Sequence, residues 1–218
     1  MSVLCVRATT ATQLSNGRHL WMSQFRKAGL LEERNEAKLR DPALPQSTNQ
    51  GPWKAIAINA YRTVEGGLFR TFGRNRLNDD GGECTNLYRG VCGTVTLLVP
   101  RDSSKSVGRI TRLAIDHAEH AEIATNGAST PIAYRTVFLE LTSYLYQTAI
   151  EYGLTDLEAI VHPRHAKLYK RVFNATPIGK PFACEEVAGA LAQLMQADIR
   201  DPKQFHPRLR ERYLTRSA

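Results

Sequence analysis

The chain has no apolar run long enough to cross a bilayer, which takes about 20 consecutive apolar residues. Its amino terminus, MSVLCVRATT, has no basic segment followed by an apolar stretch, so no secretory signal is expected. Cysteine is scarce. Cys5, Cys84, Cys92 and Cys184 are widely separated and form no C-x-x-C pair. Each lies near strand-like sequence, so buried, reduced thiols are expected rather than a disulfide framework. No H-E-x-x-H motif and no internal repeat is present. These absences exclude a membrane-spanning helix bundle and a disulfide-stapled scaffold. They leave a cytoplasmic enzyme as the expectation.

What is present is ordinary globular composition with a formal net charge of +8 over 218 residues. That length suits one domain. The charge is uneven. The stretch after Ile199, RDPKQFHPRLRERYLTRSA, carries about half of the excess. The sequence therefore divides into a domain over 1–199 and a basic tail over 200–218. Such a tail favours an acidic partner, either nucleic acid or a small acidic carrier protein, or else is simply solvated.

Leu4 to Ala8 reads as a strand. Thr12 or Ser15 to about Glu33 reads as a helix, with Leu14, Leu20, Trp21, Phe25 and Leu30 on one face. Asp41 to Pro52 is a proline-marked loop. Trp53 to Thr63 fits strand or helix equally. Val64 to Asn86 reads as a long loop. Gly90 to Val99 and Arg109 to Ile115 are strands, and His117 to Thr130 connects onward. Pro131 to Tyr152 is the strongest helical pattern, and Gly153 ends it. Leu157 to Val161 is a strand, and Arg164 to Asn174 a helix. Thr176 to Ile199 holds one or two strands, although Glu186 to Gln196 has helical propensity. Strand–helix–strand alternation implies a parallel pair joined by a crossover. The expected fold is α/β, a mixed central sheet flanked by helices.

The segment LEAIVHPRHAKLYKRVF, Leu157 to Phe173, sets Tyr169 on a helix just past the carboxyl end of a strand. Proline is tolerated at that helix start because its missing N–H has no partner there anyway. In open α/β sheets ligands gather outside this end. The segment resembles a strand–helix unit of the GNAT-superfamily N-acyltransferases, whose helix often reads A-x-x-L-Y-x-x-x-G-F. Ala166, Leu168, Tyr169 and Phe173 keep most of it, without the glycine. A wider set of pieces is similar to the core of the long-chain N-acyl amino acid synthases, relatives of the acyl-homoserine-lactone synthases. These pieces are Cys92-Gly93-Thr94-Val95, the strand RITRLAI, the helix ending at Gly153-Leu154-Thr155, LEAIVHPR, and Pro177 to Pro181, PIGKP. They come in the family's order between about Gly90 and Pro181.

The resemblance implies a single GNAT-like domain that moves a long-chain acyl group to the α-amine of an amino acid. The donor would be an acyl carrier protein thioester, with no separate cofactor. It implies that Tyr169 protonates the departing thiolate and that Arg112 grips a carboxylate through its two-pronged guanidinium. Thr94 and Arg164, on matched segments, complete the implied substrate-binding set. His162 ends a strand beside the expected cleft and can take a proton near neutral pH, so it is a second catalytic candidate. Blander readings stand beside these: a core tyrosine, a helix-capping histidine, and Arg112 paired with Glu140 or Glu158.

Two positions depart from the family. Arg109 stands where many members have an acid, and Thr96 where they have an arginine. The glycine-rich loop that binds coenzyme A pyrophosphate in ordinary GNAT enzymes also has no counterpart between Asp116 and Thr130, where only Gly127 occurs. That suits a donor carried on a protein. His117-x-x-His120 and His162-x-x-His165, with Glu119 or Glu122, could in principle hold zinc, but no metal is expected. The rivals are an acyl-homoserine-lactone-type synthase, another GNAT acyltransferase, and a basic nucleic-acid-binding module. No recognisable nucleic-acid fold motif supports the last.

Overall fold

The computed structural model describes residues 2–31, 51–63, 91–116, 134–187 and 189–217. Seven strands form one sheet: β1 (Ser2–Arg7), β2 (Trp53–Thr63), β3 (Val91–Pro100), β4 (Val107–Ile115), β5 (Asp156–Val161), β6 (Thr176–Cys184) and β7 (Ala190–Asp198). Their order across the sheet is β1-β2-β3-β4-β5-β7-β6. Every neighbouring pair is antiparallel except β4 and β5, which are parallel. The helices are α1 (Ala11–Lys27), α2 (Tyr134–Glu151), α3 (Pro163–Phe173) and α4 (Pro207–Ser217). The architecture is the mixed α/β sheet with flanking helices that the sequence implies.

Local chemistry sets the helix ends. Thr10 caps α1 in a reciprocal box: its side chain accepts the Gln13 N–H, and the Gln13 side chain accepts the Thr10 N–H. α3 begins at Pro163 with His162 as its cap, and it ends at Asn174 in the left-handed conformation.

Adjacent residues on β3 show the two faces of the sheet. A Cβ on Gly93 would lie 2.6 Å from Leu141 Cδ1, so α2 sits directly on that face. The next residue, Thr94, faces α1, where a Cβ on Gly17 would lie 2.5 Å from Asn59 Oδ1. The main core lies on the α2 side. Val137, Leu141 and Leu145 are fully buried there against Ile58, Val95, Leu97, Leu157 and Met195. Each such side chain contributes about 1.5–3 kcal/mol of hydrophobic stabilisation. A smaller cluster of Trp21, Leu31 and Ala114 seats α1 on the opposite face.

Trp53 to Thr63 resolves as a strand, because pairing with both β1 and β3 decides what the local pattern leaves open. Within Glu186 to Gln196, helical propensity loses for the same reason: β7 is held between β5 and β6. The first helix ends at Lys27, short of Glu33. The stretch read as a basic tail is packed: α4 lies on α2, Phe205 and Leu209 are buried, and Arg212 pairs with Glu140. Phe205 and Leu209 anchor it while its arginines supply the charge. Cys5, Cys92 and Cys184 are buried free thiols. Among the described residues no helix is long and apolar enough to cross a membrane. The expected loops at 41–50 and 64–86 and the connector at 117–130 lie outside the described residues, as does Cys84.

Candidate active site

The site is made where the two central parallel strands part. β4 and β5 pair from Val107 and Asp156 up to Ile110 and Ala159. Beyond that register β4 runs on to Ile115 and β5 to Val161, with no pairing between them. A β-bulge sits at the parting. Thr94 pairs with Ala114 and Thr96 with Thr111, so Arg112 and Leu113 together oppose Val95. Arg112 takes φ 56°, in the left-handed region. A non-glycine residue held there costs on the order of 1–3 kcal/mol, a strain characteristic of functional sites. Among the described residues no strand pairs with β4 on the β5 side beyond Ile110, a strand edge of the kind an extended substrate arm can line.

Tyr169 approaches from the α2 side. It is half-buried on α3, its ring 5.4 Å from that of Phe173. Burial pushes its phenol above the ordinary range, and the neighbouring Tyr134 adds to this. The group is therefore a neutral O–H, able to give a proton and slow to lose it to water. Among the described residues its hydroxyl has no hydrogen-bond partner. Tyr134, in the first turn of α2, stacks on Phe138 at 6.2 Å and is partly exposed. Its proximity to Tyr169 is invisible in sequence, where it reads only as one more residue of the helix's apolar face.

Arg112 lies on the other face. Its guanidinium is 4.9 Å from the centre of the Trp21 ring on α1, a cation–π contact. It is Arg109, three residues earlier, that pairs with Glu158, at 3.2 Å, with its guanidinium 5.6 Å from the Trp53 ring. Glu140 pairs with Arg212 instead. The arginine that stands in place of an acid is thus tied into the closed part of the strand pair. Thr96 is buried in β3.

The remaining sequence candidates separate. His162 is exposed and caps α3, its Nδ1 accepting the Arg164 N–H at 3.2 Å. Arg164 is exposed in the first turn of the same helix. Thr94 is 3% exposed. Its hydroxyl donates to Asn59 Oδ1 at 2.9 Å, and Asn59 in turn donates to the Gln13 carbonyl at 2.7 Å. That network joins α1 to the sheet and presents no face of Thr94 to a substrate. The ring centres of His162 and His165 lie 6.2 Å apart. His117, His120, Glu119 and Glu122 lie outside the described residues, within which no three His, Cys, Asp or Glu side chains gather as a metal site. Sequence reading also misses Asp116 and Gln24: Gln24 Nε2 donates to Asp116 Oδ1 at 3.1 Å, joining α1 to the end of β4.

Comparison with known proteins agrees with this geometry. Residues 91–198 match the family model described as N-acyl amino acid synthase FeeM. The solved structure of FeeM, an N-acyl amino acid synthase from uncultured soil microbes, is 14% identical with a TM-score of 0.61, covering 93% of this chain and 95% of that one. A putative N-acetyltransferase from Lactobacillus plantarum is 11% identical with a TM-score of 0.54, covering 91% and 99%. TofI, solved in a ternary complex with an inhibitor and MTA, is 13% identical with a TM-score of 0.54, covering 96% of each chain. No curated protein matches. The parted strands, the bulge and these likenesses define the class: an N-acyltransferase of GNAT fold. Within that class, residues 91–198, which hold the parted strands and Tyr169, match the model of the FeeM N-acyl amino acid synthase family.

Proposed function

We propose that the protein transfers a long-chain fatty acyl group from an acyl carrier protein to the α-amine of an amino acid. The observation that carries this reading is the opening between β4 and β5, with Tyr169 on one side and Arg112 on the other. A thioester arm laid along the open edge of β4 would bring its sulfur toward α3. The amino acid would approach from the α1 side, its carboxylate on Arg112. The amine attacks the thioester carbonyl, the C–N bond forms, and the C–S bond breaks. The thiolate takes the Tyr169 proton. No cofactor beyond the thioester is required.

Charge supports a carrier protein as donor. Residues 163–173 contain no acid, and Arg164, Lys167, Lys170 and Arg171 are all exposed. Such a face draws in an acidic partner and speeds its encounter. Mass spectrometry of lipid extracts from a heterologous host tests the reading. Long-chain N-acyl amino acids are expected. Their absence, with folded protein and varied amino acids supplied, overturns it. In vitro, acyl carrier protein thioesters should outperform acetyl-coenzyme A, and efficient use of acetyl-coenzyme A contradicts the choice of donor.

A further inference from the structure

We infer that Asp116, held by Gln24, is the acceptor's ammonium site, so that the amino acid binds as a zwitterion between Arg112 and Asp116. This rests on the proposed acyl transfer. Arg112 lies on β4 and Asp116 directly follows its last residue, and both side chains meet α1: Arg112 over Trp21, Asp116 on Gln24. Trp21 and Gln24 are three residues apart, so they are neighbours on one helix face, about 4.5 Å apart along the axis. The two opposite charges are thereby set against neighbouring positions of one face of α1.

An α-amino acid sets the separation that the two charges must have. Its nitrogen and carboxylate carbon are about 2.5 Å apart, given bond lengths near 1.5 Å. With a hydrogen bond of about 2.9 Å at each end it bridges two charges about 8 Å apart. The Arg112 and Asp116 Cα atoms are about 13 Å apart at most on a regular strand, a distance the long arginine side chain closes.

Asp116 also answers a chemical need. An α-ammonium cannot attack a thioester until it loses a proton. The usual family acid at position 109 is an arginine here, tied to Glu158. In this arrangement the ammonium gives one proton to the Asp116 carboxylate, which passes it to water. The amine's lone pair forms the C–N bond. A second proton leaves nitrogen as the amide forms, and the departing thiolate is protonated by Tyr169, which is reloaded from solvent. The products are the N-acyl amino acid, a thiol and one released proton. The acceptor must then carry both a free amine and a free carboxylate.

The test is steady-state kinetics of Asp116→Asn with a fixed acyl carrier protein donor and varied acceptor, with melting temperature measured alongside. Asparagine keeps an oxygen for Gln24 and loses only the charge. kcat/KM for the amino acid should fall by about 10- to 100-fold, the size of a lost charged hydrogen bond. The donor KM and the melting temperature should be unchanged. Gln24→Ala, acting through Asp116, should give a smaller fall in the same acceptor term. For the wild type, a primary amine lacking the carboxylate should be a poor acceptor. Wild-type kinetics in a stable Asp116→Asn protein overturn the inference while leaving the transfer reaction standing. An equal loss in donor and acceptor terms overturns it too. If the wild type acylates no amino acid, the underlying reading itself fails.

Discussion

Arg109 and Arg112 stand three residues apart on β4 and live in different surroundings. Around Arg109 the strand is paired on both sides. Its charge is met by Glu158 on β5, directly opposite in the register. Around Arg112 the strand bulges, the backbone is strained, and β5 has moved away. The closed end is paired on both sides and sets Arg109 against Glu158, so substitutions there report on stability. The open end has no β4–β5 pairing and a strained backbone, which the fold tolerates because the closed end holds the strands. Substitutions there should report on rate.

The largest effect that sharpens this contrast is expected at Tyr169. Tyr169→Phe keeps the ring and its packing on Phe173 and removes only the proton donor. Losing a general acid typically slows the rate by about 10²–10⁴-fold, or about 3–5 kcal/mol of barrier. Single-turnover rate and melting temperature, measured on one preparation, should show a slow enzyme that melts normally. Normal turnover removes the tyrosine from the mechanism.

The reverse pattern is expected at Gly108, in the closed end. A Cβ there would lie 2.5 Å from Leu154 Cδ1 and 3.3 Å from the Leu98 carbonyl oxygen. Gly108→Val should cost about 1–3 kcal/mol by overpacking. Urea unfolding should show the loss, while kcat per folded molecule stays near wild type. A stable variant with a slowed reaction would break the division between the two ends.

The smallest effect lies at the rim. Burial first, then the charges of Arg164 and His162, lowers the His165 pKa. The folded state therefore disfavours the charged form. That contribution to stability is present above the unfolded value of about 6.5 and is lost as pH falls below it, because the unfolded chain binds the proton first. Melting temperatures between pH 8 and pH 5 should fall less steeply for His165→Gln than for the wild type. Identical profiles contradict this.

These contrasts also show what sequence can carry. The strand RITRLAI, the helix before Gly153 and the His162-Pro163 junction are local patterns, and they give the fold and Tyr169. The undecided Trp53 to Thr63 needed its two neighbours, because pairing rather than propensity makes it a strand. Arg112 and Arg109 are each one arginine in a strand on paper. Only the register, which places Glu158 beside one and a bulge at the other, separates their roles. Thr94 belongs to a motif yet is spent on holding α1, a contact made with Asn59, 35 residues away in sequence. Asp116 and Gln24 are 92 residues apart, beyond any spacing rule.

The most direct measurement compares Arg109→Met with Arg112→Met in steady-state acyl transfer from an acyl carrier protein thioester to an amino acid, with unfolding followed in parallel. Arg112→Met should lose about 10- to 100-fold in kcat/KM for the acceptor, as expected for a charged contact to a carboxylate. Arg109→Met should stay close to wild type in rate and lose at most about 1 kcal/mol of stability, since its ion pair is partly exposed. Equal losses of rate in the two variants, or none in either, would contradict the assignment of chemistry to the open end of the strand.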